Sequence, residues 1–180
     1  MPWLRQQGVI FLSKRKRLNN SNNRDSLQKA KGYAFLLLKF RLRSEREIYE
    51  RLKKKKFNEE IIRETLLFLK SKNFVDDNNF SKAWIESRLA NSIGLIRLKQ
   101  ELRLKGIDEE IIDSQISQVK DNYSEEDIVT KIAKDKFKKL PNLEPQKAKR
   151  RIYAYLLRRG FSPGVVIDVI NSYEDRCFKG

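Results

Sequence analysis

The chain has 180 residues, 39% hydrophobic and 36% charged, with 40 Lys and Arg against 24 Asp and Glu and a net charge of +16. It contains no histidine and one cysteine, Cys177. This excludes an intrachain disulfide and Ser-His or Cys-His nucleophile chemistry, and it removes the commonest metal ligand. No apolar run approaches the ~20 residues that span a bilayer, so the sequence reads as a cytoplasmic, membrane-free protein.

Only 7 Gly and 4 Pro leave little material for tight turns and favour helices. The charge is unevenly distributed: residues 1–43 carry +10, 44–77 carry +1, 78–127 carry −3 and 128–180 carry +8. A basic surface attracts phosphate or acidic protein through salt-sensitive electrostatics, and charge alone does not say which.

Residues 1–25 read as a flexible basic tail, with KRKR at 14–17 and NNSNN at 19–23. GVIFL at 8–12 is too short for a signal peptide core and has no partner as a strand. A first three-helix unit follows over 26–76, with helices near 26–42, 44–56 and 58–72. Ser44-Glu45-Arg46-Glu47 reads as a capping box at the start of its second helix. A second unit covers 77–123, with helices near 77–91, 94–105 and 108–120. A third covers 124–180, with helices near 125–139, 145–159 and 162–174, and Pro141 and Pro145 bracket its connector.

A recurrence fixes this division. KFNEEII at 56–62, GIDEEII at 106–112 and GFSPGVVI at 160–167 each place an apolar anchor (Phe57, Ile107, Phe161) before a capping residue (Asn58, Asp108, Ser162). Apolar residues recur in register on both sides. Ile48, Leu98 and Ile152 precede the anchors by nine, and Leu52, Leu102 and Leu156 by five. Leu66, Ile116 and Ile170 follow by nine, and Leu69, Val119 and Tyr173 by twelve. Such steps are helical, so each anchor joins two amphipathic helices. A repeat of this length marks stacked helical units, each too small to bury its own apolar face. Gly106 and Gly160 sit where a left-handed helix stop is needed, and Lys56 takes that place in the first unit.

Several residues invite a functional reading. Asp76-Asp77 is either a reactive pair or a helix start, and capping and the helix dipole favour the second. With Glu86 the two form the sole plausible carboxylate group, and neighbours about 100° apart on a helix chelate poorly. Trp84 reads as a buried residue that holds the first unit against the second. Phe57, Phe68, Phe74, Phe80, Tyr153 and Phe161 fall at core-compatible spacing, unlike an exposed base-stacking array. The basic cluster Lys147, Lys149, Arg150, Arg151, Arg158 and Arg159 lies on and around one helix. It is either a stripe facing DNA phosphate or acidic protein, or a solvated face. The lysine run 53–56 and the 14–17 cluster read as solvated.

The run FVDDNNFSKAWIESRLANSIGLIRLKQELRLKGIDEEII, with RSEREIYERL upstream and LLRRGFS downstream, resembles the RecX family of bacterial recombination regulators. The match covers about 30–175; the tail does not align, and Lys53–Lys56 replace the glycine common before the first anchor. The resemblance implies an all-α protein of three tandem three-helix repeats forming an elongated, curved, solenoid-like body. It implies a protein that is not an enzyme, and the residues themselves offer no cofactor, metal or catalytic site and no signal of a dimer. Such a protein lodges in the groove of the RecA–DNA filament and inhibits strand exchange and repressor cleavage in DNA repair and the SOS response. The alternative is a stand-alone nucleic-acid-binding helical protein that contacts single- or double-stranded DNA through its basic ends.

Overall fold

The structure, a computed structural model, describes the backbone of residues 5–120 and 123–177 and the side chains of 23–120 and 123–172. Among the described residues all regular structure is helical: α1 (Arg5–Phe40), α2 (Glu45–Lys54), α3 (Glu59–Ser71), α4 (Asp77–Ala90), α5 (Leu95–Leu104), α6 (Glu109–Lys120), α7 (Glu125–Lys138), α8 (Pro145–Arg158) and α9 (Pro163–Cys177). Two compact units result, residues 1–77 and 78–180. The first contains α1 to α3, and the second contains the other two three-helix repeats.

The recurring positions are the core. Ile48, Leu52, Leu98, Leu102 and Leu156 are fully buried, and Ile152, Phe161 and Ile107 are nearly so. Each repeat assembles its own apolar cluster. The first gathers Ala30, Ala34, Ile48, Leu52, Ile62 and Leu69. The second gathers Phe80, Ile85, Leu98, Leu102, Ile112 and Ile116, and the third Val129, Ala133, Ile152, Leu156, Phe161 and Val166. The side chains of Tyr173 and Cys177 lie outside the described residues.

The helix ends follow from local chemistry. Lys56 (φ 63°), Gly106 (φ 76°) and Gly160 (φ 83°) all take the left-handed stop. Behind each, the anchor amide turns back to the helix, as in Ile107 N–H to Leu102 O at 3.2 Å and Phe161 N–H to Leu156 O at 3.3 Å. Ser44 Oγ accepts from Glu47 N–H at 3.2 Å and Asn58 Oδ1 from Ile61 N–H at 2.8 Å, which satisfies free amides in the first turns of α2 and α3.

Three expectations need correction. The segment read as a flexible tail continues α1 back to Arg5, and GVIFL lies inside that helix. No proline interrupts 5–40, and a helix already nucleated by packing at 27–38 extends one residue at a time at low cost. The side chains of Lys14–Arg17 lie outside the described residues, as do residues 1–4. Phe74 is 48% exposed instead of packed in a core. Trp84 is half-buried and packs within the second repeat: its ring stacks on Phe80 at 5.7 Å, Arg88 lies 4.3 Å from its centroid, and its indole N–H donates to Glu101 at 3.2 Å.

Asp77 works as a cap. Its Oδ1 accepts from Glu45 N–H at 2.9 Å, at the opening of α2, while Asp77 itself stands in the first turn of α4. Burial holds its carboxyl above the usual aspartate range, with the Glu45 amide acting against that shift. A carboxyl that binds its proton more tightly in the folded chain adds stability below its unfolded pKa and loses it as pH rises through the folded one. Asp77→Asn keeps an acceptor and removes the buried charge, so its urea midpoint at pH 7 is expected to equal or exceed that of the parent. Asp77→Ala removes the acceptor and is expected to lower stability by about 1 kcal/mol.

Candidate functional site

The third repeat carries a basic groove between α7 and α8. The last turn of α7 presents Lys136, its C-cap is Lys139, and Leu140 then leads into the connector to Pro145. Proline at the first position of α8 starts that helix without wasting an amide. From there the helical period alternates two faces: Ala148, Ile152 and Leu156 are buried, while Arg150, Arg151 and Arg158 are exposed.

The resulting concavity has a volume of about 490 Å³. Lys136, Lys139, Arg150, Arg151 and Arg158 surround it, with Leu140, Ile152, Ala154 and Tyr155 beneath. Lys136 Nζ sits 4.0 Å from the Tyr155 ring centroid, so the ring holds the ammonium at the groove's edge. No carboxylate lines the groove, and Arg150, Arg151 and Arg158 form no ion pair with any described side chain. Five cations converging without an acid repel one another and cost stability, which is expected of a binding surface more than of a solubilising one. The arginine forks suit phosphate or carboxylate oxygens bidentately.

The six basic residues singled out in the sequence thus separate by position. Arg150, Arg151 and Arg158 come together in the groove. Lys147 is exposed outside it and pairs with Glu144 at 3.0 Å, and Lys149 is half-buried and does not line it. Arg159 points elsewhere, into a clasp between the second and third repeats. Its guanidinium donates to Ser92 O at 2.9 Å, to Asn91 O and to Tyr155 Oη at 2.8 Å. Sequence reasoning missed Lys136 and Lys139. The signal available was the charge run KDKFKKL immediately before Pro141, which places lysines at the end of a helix facing the next one.

The clasp is reciprocal. Arg159 satisfies carbonyls left open at the end of α4. In return the end of α8 accepts from the start of α5: Gly94 N–H to Arg159 O at 2.8 Å, Ile96 N–H to Gly160 O at 3.1 Å and Arg97 Nη1 to Arg158 O at 3.1 Å. Gly94, the N-cap of α5, has no side chain to cap with, and the Gly160 carbonyl takes over that task. The groove's α8 wall is thereby fixed against the second repeat.

No described helix is long and apolar enough to cross a membrane. Family models match all three repeats: the first three-helix domain of RecX over 30–69, the second over 76–114 and the third over 124–170. The chain is 31% identical over 148 residues to the regulatory protein RecX of Clostridium beijerinckii, covering 81% of this chain and 68% of the relative. It is 33% identical over 151 residues to that of Clostridium acetobutylicum (81% and 69%) and 34% identical over 145 residues to that of Amycolatopsis mediterranei (79% and 82%). Its fold matches a crystal structure of regulatory protein RecX with a TM-score of 0.74 at 22% identity, covering 87% of this chain and 77% of that one. It also matches RecX from Lactobacillus salivarius with a TM-score of 0.71 at 19% identity, covering 83% and 97%. Three repeat models in order, and relatives above 30% identity along most of their length, place this chain in the RecX family of regulatory proteins.

Proposed function

We propose that this chain is a cytoplasmic, non-catalytic regulator that binds RecA in its filament on DNA and restrains strand exchange and RecA-dependent repressor cleavage. Family membership supports the regulatory role. The observation that carries the binding mode is the acid-free groove of Lys136, Lys139, Arg150, Arg151 and Arg158. It supplies a contact for DNA phosphate or for an acidic RecA surface, with Lys147 and Lys149 flanking it. Contacts spread over linked repeats reinforce one another through effective concentration, so each can be weak. Occupancy obstructs incoming duplex without any reactive group.

The same groove supports a second reading, a nucleic-acid binder that needs no RecA. The two are separated by titrating labelled single- and double-stranded DNA with and without RecA at two salt concentrations. The regulator reading predicts weak, salt-sensitive binding to naked DNA and much tighter binding once RecA coats the strand. Tight binding without RecA would favour the second reading. Its log–log salt slope would gain about 0.9 per neutralised duplex phosphate.

A further inference from the structure

The first repeat carries an aromatic surface that its core does not use. Phe35 of α1 is 37% exposed and Phe74, in the turn after α3, is 48% exposed. Their rings meet edge to face with centroids 5.0 Å apart, and Phe35 makes a second such contact with Phe68 at 6.3 Å. Phe35 is braced by both neighbours and Phe74 by Phe35, so the two exposed rings are held in place. Lys31 Nζ lies 4.0 Å from the Phe68 centroid.

The helical period sets these rings in a basic stripe. Arg24, Lys31, Phe35 and Lys39 follow at steps of seven, four and four, so they share one face of α1. Asp25, the one acid between residues 23 and 43, lies off that face and is already paired with Lys29 at 2.6 Å. Cations above and below a pair of fixed, exposed rings are what a single nucleic-acid strand needs. Its phosphates take the charges, and its unstacked bases lie against the rings with little regard to sequence. A duplex hides its bases and gains only the charge contacts.

We infer that Phe35 and Phe74, flanked by Arg24, Lys31 and Lys39, form a base-stacking contact for single-stranded nucleic acid in the first repeat. This contact stands independently of the basic groove in the third repeat. The test compares the full chain's affinity for labelled oligothymidylate and for an abasic strand of equal length. The parent is expected to prefer the strand with bases by about tenfold, the contribution of a stacked base or two. Phe35→Ala/Phe74→Ala, with helicity checked by circular dichroism, should lose that preference while its affinity for the abasic strand stays unchanged. Phe35→Tyr/Phe74→Tyr should restore it. If the double variant does not fold, Phe74→Ala alone, at an exposed turn position, should show the reduced preference. Equal affinity of the parent for both strands would overturn the inference. So would a preference that survives loss of the rings, or a loss of RecA-filament binding with single-strand affinity unchanged, which would mark a protein-binding surface.

Discussion

Gly160→Ala is expected to destabilise the 78–180 unit by about 3–5 kcal/mol, read as a lowered urea midpoint. Three effects act at once. Gly160 has φ 83°, where a Cβ costs about 1 kcal/mol. A Cβ built there stands 2.2 Å from Arg97 Cβ and 2.4 Å from Arg97 N, so backbone must move, at about 1–3 kcal/mol. That movement strains the hydrogen bonds from Gly94 N–H and Ile96 N–H, each contributing about 1 kcal/mol. Gly94→Ala meets the same obstacle from the other side, since its Cβ would lie 2.2 Å from Gly160 O. Gly164→Ala is the control: nothing lies within 4 Å of that position, at the exposed start of α9, and the expected change is near zero or slightly stabilising. Equal midpoints for Gly160→Ala and Gly164→Ala would mean that the two turns do not clasp.

Arg151→Glu/Arg158→Glu is expected to weaken binding to RecA filaments by about a hundredfold or more while leaving the circular dichroism spectrum unchanged. The double reversal changes the groove's charge by four and replaces two forked donors with acceptors. Each lost charge-assisted contact is worth about 1.5–3 kcal/mol, and 1.4 kcal/mol is a factor of ten. Folding should be spared because both side chains are exposed and neither pairs with a described acid. Lys147→Glu, outside the groove, should have a much smaller effect. Undiminished inhibition of strand exchange by the folded double variant would remove the groove from the mechanism.

The parts of this molecule that were legible in its sequence are those set by local periodicity. Ile48, Leu98 and Ile152 occupy equivalent buried positions because a helix facing a core imposes its own spacing. Lys56, Gly106 and Gly160 take left-handed backbone because a helix followed at once by an apolar anchor requires that stop. What was not legible depends on how repeats meet. Arg159 and Arg158 are neighbours with the same chemistry, yet only the partner turn at Asn91 and Ser92 makes one a clasp and leaves the other in a groove. Lys136 and Lys139 join that groove through the α7–α8 crossing, which no single-helix pattern records. Phe74 has core-like spacing and faces outward because it lies in a turn beyond α3, where the helical register has ended.

The activity proposed for this chain is recognition of RecA assembled on DNA through charged surfaces of a helical repeat protein. Co-sedimentation with RecA filaments formed on single-stranded DNA tests it most directly. The chain should pellet saturably with filaments, far more than with the same DNA lacking RecA, and salt should reduce the pelleted fraction. A chain that stays in the supernatant with filaments, or pellets equally with naked DNA, would contradict it.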